Sequence, residues 1–339
     1  MTSFITKTSL KTWLGTLLKD NTLVAPAAAA GLTFFRPVEK IEDIAFDFTN
    51  TALSPKSWFF PQTETLSGEI AGNGHKTLNP EALEKNAVLF GIRPCDARGL
   101  AVTDKVFLIT PGDTSYIERR QRTTLVGVAC LEERAECFCT RMGSSPNSPA
   151  DVDILLTEDG DGYLVQVMTK KGQTLSAGAG QQQSDKAVPP IVPTKPPARL
   201  PLKSAGPSPD MDYWDQSIAD RCIHCNICAF VCPTCYCFDT FDIEKEGKVE
   251  RLRSWYTCQS PNFERIEGYM ADAPKGVRMR HRFYHKLPLF PEQLGSGYAA
   301  CTGCGRCVVS CPVNIDIREI MDDVEKFRAS VGEEKAPQA

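Results

Sequence analysis

Leu10, Trp13, Leu14, Leu17 and Leu18 recur at helical spacing over residues 9–19, which predicts an amphipathic first helix packed on its own domain. Two charge-free apolar runs follow, AVLFGI at 87–92 and TLVGVA at 124–129, each flanked by polar or turn residues. Uninterrupted runs of that length read as strands buried on both faces. Residues 104–122 between them have room for a helix, so an α/β layer with neighbouring strands is expected. A hairpin is predicted from VDILL and YLVQV across Glu158-Asp159-Gly160-Asp161-Gly162, and a second from FDTFDI and VERLRSW around Glu246-Gly247-Lys248. A closing helix should start near Asp316. It places Ile317, Ile320, Met321, Val324 and Phe327 on one face, with Asp316 and Glu319 spaced as a capping pair.

The pattern breaks between 176 and 210, where 8 of the chain's 24 prolines fall together with QQQ and SAGAG, and where no aromatic residue or cysteine occurs. This composition predicts a semi-rigid linker or a strap across the surface. The expected organisation is α+β. An N-terminal α/β domain with a small sheet spans 1–175, and the Pro-rich linker 176–210. A mainly helical, ferredoxin-like domain spans 211–330, with a frayed tail at 331–339.

A length of 339 residues suits about two domains. With 38 Lys+Arg against 42 Asp+Glu the net charge is −4, so a nucleic-acid partner has no electrostatic support. The longest uncharged stretch near the start, 21–35, is broken by Pro26 and Gly31 and is shorter than a membrane span. No signal-peptide apolar core is evident either. The outlier is cysteine, 15 in all, 11 of them within 211–328. That count is too sparse for a disulfide-stapled fold and points to metal ligation in a reducing compartment, with the cytoplasm as the expected location.

Two segments share one spacing, Cys222-x2-Cys225-x2-Cys228-x3-Cys232-Pro233 and Cys301-x2-Cys304-x2-Cys307-x3-Cys311-Pro312. This is the ferredoxin run for [4Fe-4S] clusters, in which three closely spaced thiolates wrap one cluster and the fourth serves the other. One cluster is therefore assigned to Cys222, Cys225, Cys228 and Cys311, the second to Cys301, Cys304, Cys307 and Cys232. A zinc-stabilised scaffold is the rival reading, but zinc usually takes two separated Cys-x2-Cys pairs. His224, inside the first run, is expected beside the cluster or in solvent and not as a ligand.

Seven cysteines remain. Cys95 and Cys130 follow the two apolar runs and should emerge at the carboxyl ends of neighbouring strands, where sites tend to form. With Cys137 and Cys139 they make four candidate ligands for a third [4Fe-4S] cluster; the competing reading is four buried or solvent-facing thiols. Cys235, Cys237 and Cys258 form a trio that either holds a further site, completed by His285 or a first-domain cysteine, or lines the clusters without binding metal. The segment RMRHRFYHK (278–286) is read as compensating the net negative charge of thiolate-ligated clusters, with a solvated basic face as the alternative. No G-x-G-x-x-G, P-loop or nucleophile elbow is present, so the chain should carry no dinucleotide site of its own.

Together SPKSWFFPQTETL, GIRPCDARGL, GVACLEERAECFCTRMG and the two cysteine runs resemble the iron–sulfur β subunit of cytoplasmic sulfhydrogenases and the dicluster electron-transfer subunit of anaerobic sulfite reductase. The resemblance spans most of the chain, although the Pro-rich stretch and the region around Cys258 depart from it. It implies an electron-transfer subunit without independent catalysis, working in anaerobic metabolism between a flavin- and NAD(P)-binding subunit and a catalytic unit. That unit would be a hydrogenase, a sulfite reductase or a heterodisulfide-reductase-like module. It also favours the metal reading of Cys95, Cys130, Cys137 and Cys139. A self-sufficient reductase with its site in the N-terminal domain is the remaining alternative. Because a nicotinamide gives up a hydride and a cluster takes one electron, a flavoprotein partner is expected, docking near 278–286.

Overall fold

A computed structural model describes residues 2–69, 75–76, 83–188, 191, 212–245, 248–260, 263 and 273–330. The expected α+β organisation holds, as a mixed sheet flanked by helices followed by a helical segment around the cysteine runs. The strands are β1 (Thr2–Thr6), β2 (Thr22–Ala29), β3 (Leu32–Pro37), β4 (Thr63–Glu69), β5 (His75–Lys76) and β6 (Ala87–Ile92). They continue with β7 (Thr123–Val128), β8 (Ile154–Asp159), β9 (Gly162–Val167), β10 (Gln182–Ser184), β11 (Phe238–Lys245) and β12 (Lys248–Trp255).

Eight strands form the large sheet in the order β10-β1-β9-β8-β7-β6-β2-β3, within which the β2–β6, β6–β7 and β7–β8 pairs are parallel. Both faces are covered. Val88, Phe90, Val126, Ile154 and Leu156 pack on one side with Leu10, Trp13 and Leu14 of the first helix, Lys7–Asp20. Leu89, Ile92, Leu125 and Leu155 pack on the other with Ala97, Leu100 and Phe107 of the helix Pro94–Phe107, and with Phe59, Phe60 and Trp255. Burial on both faces explains why β6 and β7 read as continuous apolar runs. The interval between them holds two helices, Pro94–Phe107 and Thr114–Arg122.

The second sheet runs β11-β12-β4-β5 and draws on both halves of the chain, since β4 pairs antiparallel with β12. Buried ions lock this seam. Glu64 of β4 accepts from Arg119 at 2.8 Å and from Nε of Arg253 at 3.0 Å, and Arg253 also binds Asp113.

The start of the Pro-rich stretch is tied to the large sheet, because β10 adds beside β1 and the N–H of Ile191 donates to Asn147 Oδ1 at 3.1 Å. The hairpin expected from FDTFDI and VERLRSW is present as the two eight-residue strands β11 and β12. The rest of the Pro-rich stretch, the Glu246-Gly247 turn, the Phe327 side chain and the tail at 331–339 lie outside the described residues. The closing helix is Ile317–Ser330, and Asp316 caps it by accepting the Arg318 N–H at 2.8 Å. Among the described residues no helix is long and apolar enough to cross a membrane.

Candidate metal centres

The two cysteine runs fold into one repeated loop. His224 (φ 52°) and Asn226 (φ 62°) in the first occupy the positions of Gly303 (φ 67°) and Gly305 (φ 74°) in the second, and all four are left-handed. Such alternation turns successive amides toward one concavity that favours an anion. The His224 N–H lies 3.4 Å from Cys222 Sγ, and the Ile315 N–H 3.2 Å from Cys311 Sγ. Each loop then enters one helical turn, Ile227–Phe230 or Arg306–Val309. The second loop needs glycine, because a Cβ on Gly303 would sit 2.5 Å from the backbone N of Cys139. That close approach carries the Phe138 N–H to the Gly303 carbonyl at 2.8 Å.

The fourth cysteine of each run stands with the first three of the other. Cys222 faces Cys228, Cys225 and Cys311, and these four thiols line one cavity. Cys232 instead faces Cys301, Cys304 and Cys307. Burial pushes Cys301 up to about 12 and raises Cys304 and Cys307 as well. Such thiols stay protonated in the metal-free chain and must release protons to become ligands. Eight soft thiolate donors in two sets of four suit iron–sulfur clusters. Among the described residues no three His, Cys, Asp or Glu side chains gather closely enough to hold a single metal ion.

Three cations penetrate this region. Arg282, 4 % exposed, donates to the Cys228 carbonyl at 3.1 Å and faces Cys228 and Cys307, one cysteine from each set. Lys286 donates to Thr234 Oγ1 at 2.9 Å and faces Cys232, Cys235 and Cys301. Lys56, from the first half, donates to the Cys235 carbonyl at 2.9 Å, and burial pushes it down to about 8. Among the described residues none of the three has a carboxylate partner within ion-pair distance. Buried, unpaired cations are costly unless an anion faces them, so their placement fits negatively charged clusters. The basic segment is correspondingly not a solvated face or a docking contact: Arg278, Arg280, Arg282 and Lys286 are buried within the helix Lys275–Tyr284 and the turn His285–Leu289.

The first-half cysteines converge. Cys95 opens the helix that follows β6, Cys130 follows β7, and these parallel neighbours bring both to the carboxyl edge of the sheet. Gly91 (φ 84°), at a register shift in β6, turns the chain toward Arg93, which donates to the carbonyls of Val128 (3.1 Å) and Ala129 (3.0 Å) and so ties the two strand ends. Cys95, Cys130, Cys137 and Cys139 line one cavity of ≈ 200 Å³, and Cys304 forms part of the same wall. Cys137 Sγ is 3.8 Å from the Cys304 carbonyl. Burial pushes Cys137 up to about 11 and raises the other three.

The remaining trio, Cys235, Cys237 and Cys258, lines another cavity with His285 and Lys286. Cys235 contacts the Cys232 thiol, and Cys237 contacts Cys258. His285 Nε2 is 3.0 Å from the Tyr236 hydroxyl, and no cysteine of the first half lines this cavity.

Sequence reading missed the pair that fastens the second loop. Arg306, inside the second run, binds both carboxylate oxygens of Asp96 (2.6 and 2.8 Å), the Thr51 carbonyl at 2.8 Å and the Thr51 hydroxyl at 2.9 Å, all buried. Their separation of 210 residues leaves no local pattern to find. Lys56 was likewise unsignalled, since it sits in SPKSWFF with no cysteine near it in sequence.

Comparison with known proteins agrees with this geometry. Residues 221–315 match the family model of the 4Fe-4S dicluster domain. The particular likeness is to sulfhydrogenase 2 subunit beta of Pyrococcus furiosus, 29 % identical over 307 residues, covering 86 % of this chain and 89 % of that one. No solved structure matches.

Proposed function

We propose that this chain is the iron–sulfur electron-transfer subunit of a soluble, cytoplasmic oxidoreductase complex. It would relay single electrons between a flavin- and NAD(P)-binding subunit and a hydrogenase-like catalytic unit. The observation that carries the reading is the crosswise grouping of the eight run cysteines, with Cys311 beside Cys222, Cys225 and Cys228, and Cys232 beside Cys301, Cys304 and Cys307. When bound, each [4Fe-4S] cluster accepts and gives up one electron.

The chain's own groups supply the rest. The thiolates anchor the irons, the left-handed loops aim amides at the sulfurs, and Arg282, Lys286 and Lys56 offset the negative charge. The C-terminal segment 211–330 forms the dicluster unit, and the segment 1–175 holds the third ligand set, Cys95, Cys130, Cys137 and Cys139. Because Cys304 borders that third set, the three ligand sets form a continuous series from the sheet edge to the surface at Cys225. The likeness to a sulfhydrogenase subunit supports a hydrogenase-type partner, and the triple Cys-x2-Cys-x2-Cys runs differ from the separated Cys-x2-Cys pairs that structural zinc usually takes.

The test is anaerobic purification of the full chain, with iron and sulfide analysis and electron paramagnetic resonance. About twelve irons per chain are expected for three clusters. Cys311→Ser should abolish the signal of the cluster held by Cys222, Cys225 and Cys228, and loss of the other cluster instead would overturn the crosswise assignment. NADH or NADPH should leave the isolated chain oxidised until a flavoprotein partner is added.

A further inference from the structure

We propose that Cys237 and Cys258 form a redox-active dithiol–disulfide pair that stores two electrons beside the ligand set of Cys232, Cys301, Cys304 and Cys307. The proposal rests on the reading of those runs as cluster ligands. The two cysteines are brought together by the hairpin. Past its last paired residues, Phe238 and Trp255, the Tyr256 N–H donates to the Cys237 carbonyl at 3.0 Å, and Cys258, two residues further on, lines the same cavity as Cys237. Cys235 and Lys286 line it together with them. Cys258 is 7 % exposed. Neither belongs to a ferredoxin run.

Their surroundings favour thiol chemistry over another cluster. Only three cysteines line this cavity, and His285 is engaged by Tyr236. Lys286, Arg282 and Lys56 face the group without a carboxylate. Cations around a dithiol stabilise its reduced form, which makes the disulfide the better oxidant.

The step balances. Reduction breaks the Cys237–Cys258 S–S bond and forms two S–H groups, consuming two protons from water and two electrons. The electrons arrive singly from two reduced [4Fe-4S] clusters, the nearer one reached through Cys232, whose thiol touches Cys235. Re-oxidation returns one electron to each oxidised cluster and releases both protons. The pair thereby matches one-electron carriers to two-electron chemistry.

The full-length, cluster-loaded protein would be poised at stepped potentials, quenched in acid with a thiol-alkylating maleimide, and mapped by peptide mass spectrometry. Residues 237 and 258 should be joined at the oxidising end and separately alkylated after dithionite, while iron content stays constant. Both thiols alkylated at every potential would overturn the pair. Cys258→Ser should leave iron per chain unchanged, whereas loss of about four irons would make Cys258 a cluster ligand and also overturn it. A wild-type chain lacking iron would count against the cluster reading itself, and the 237–258 linkage would still decide the pair.

Discussion

The two cysteine sets share a loop and differ in what surrounds it. The outer set, Cys222, Cys225, Cys228 and Cys311, opens to solvent at Cys225, beside exposed Ile223 and Ile227, and is built by the C-terminal segment alone. The inner set is enclosed. Cys304 is 8 % exposed, its carbonyl accepts from Asn50 at 3.1 Å, and its loop is clamped by Asp96, Thr51 and Phe138 from the first half. One motif therefore stands in two settings, one open to solvent and one enclosed where both halves of the chain meet.

The sharpest way to break this contrast is Asp96→Ala. Arg306 would be left buried and charged without its partner, a loss of about 3–5 kcal/mol. The inner set and the neighbouring first-half cysteines should lose iron, while the outer set keeps its signal. Thermal unfolding and paramagnetic resonance on one preparation would show it; equal loss from both sets would mean that the inner set is not separately braced.

Acidity distinguishes the regions next. In the metal-free chain Cys301 is held up to about 12, against about 9 for a thiol in the unfolded chain. A raised folded pKa contributes stability that is fully present below pH 9 and is lost as pH rises through 12. Metal-free protein should therefore weaken between pH 9 and 12. The iron-loaded protein, whose thiolates are already deprotonated, should not show that slope. Denaturant melts at several pH values would test it, and parallel slopes for the two forms would count against burial of the inner thiols.

Gly303→Ala follows in size. Its φ of 67° and the 2.5 Å approach to Cys139 leave no room for a methyl group, at a cost of about 1–3 kcal/mol with damage confined to the inner set. His224→Gly, at the corresponding outer position, should be tolerated. Iron analysis of the two variants compares the loops directly.

What the sequence revealed followed the range of the interactions. The runs are local, so spacing alone grouped Cys222, Cys225 and Cys228, and strand ends alone paired Cys95 with Cys130. The large sheet was legible where β6 and β7 carry no charge and run largely apolar. The β4–β12 pairing and the Asp96–Arg306 clamp were not, because each joins residues roughly two hundred positions apart through contacts that no periodicity records. For the basic segment, burial overturns only the alternatives of a solvated face and a docking contact, because its charges lie among thiols and carbonyls.

The smallest expected effect tests the outer set from its own side. Asp316 accepts the Arg318 N–H at 2.8 Å and so caps the closing helix, which begins six residues after Cys311. The same turn aims the Ile315 N–H at Cys311 Sγ. Asp316→Ala should cost about 1 kcal/mol, the usual value of a lost N-cap. Because the helix anchors through Ile317, Ile320 and Met321 against Phe283 and Trp214, it should still fold. The disturbance should then appear as faster loss of the outer cluster to a chelator, with inner-cluster loss unchanged. Equal acceleration at both sets would show that the closing helix supports the dicluster unit as a whole and not the outer set in particular.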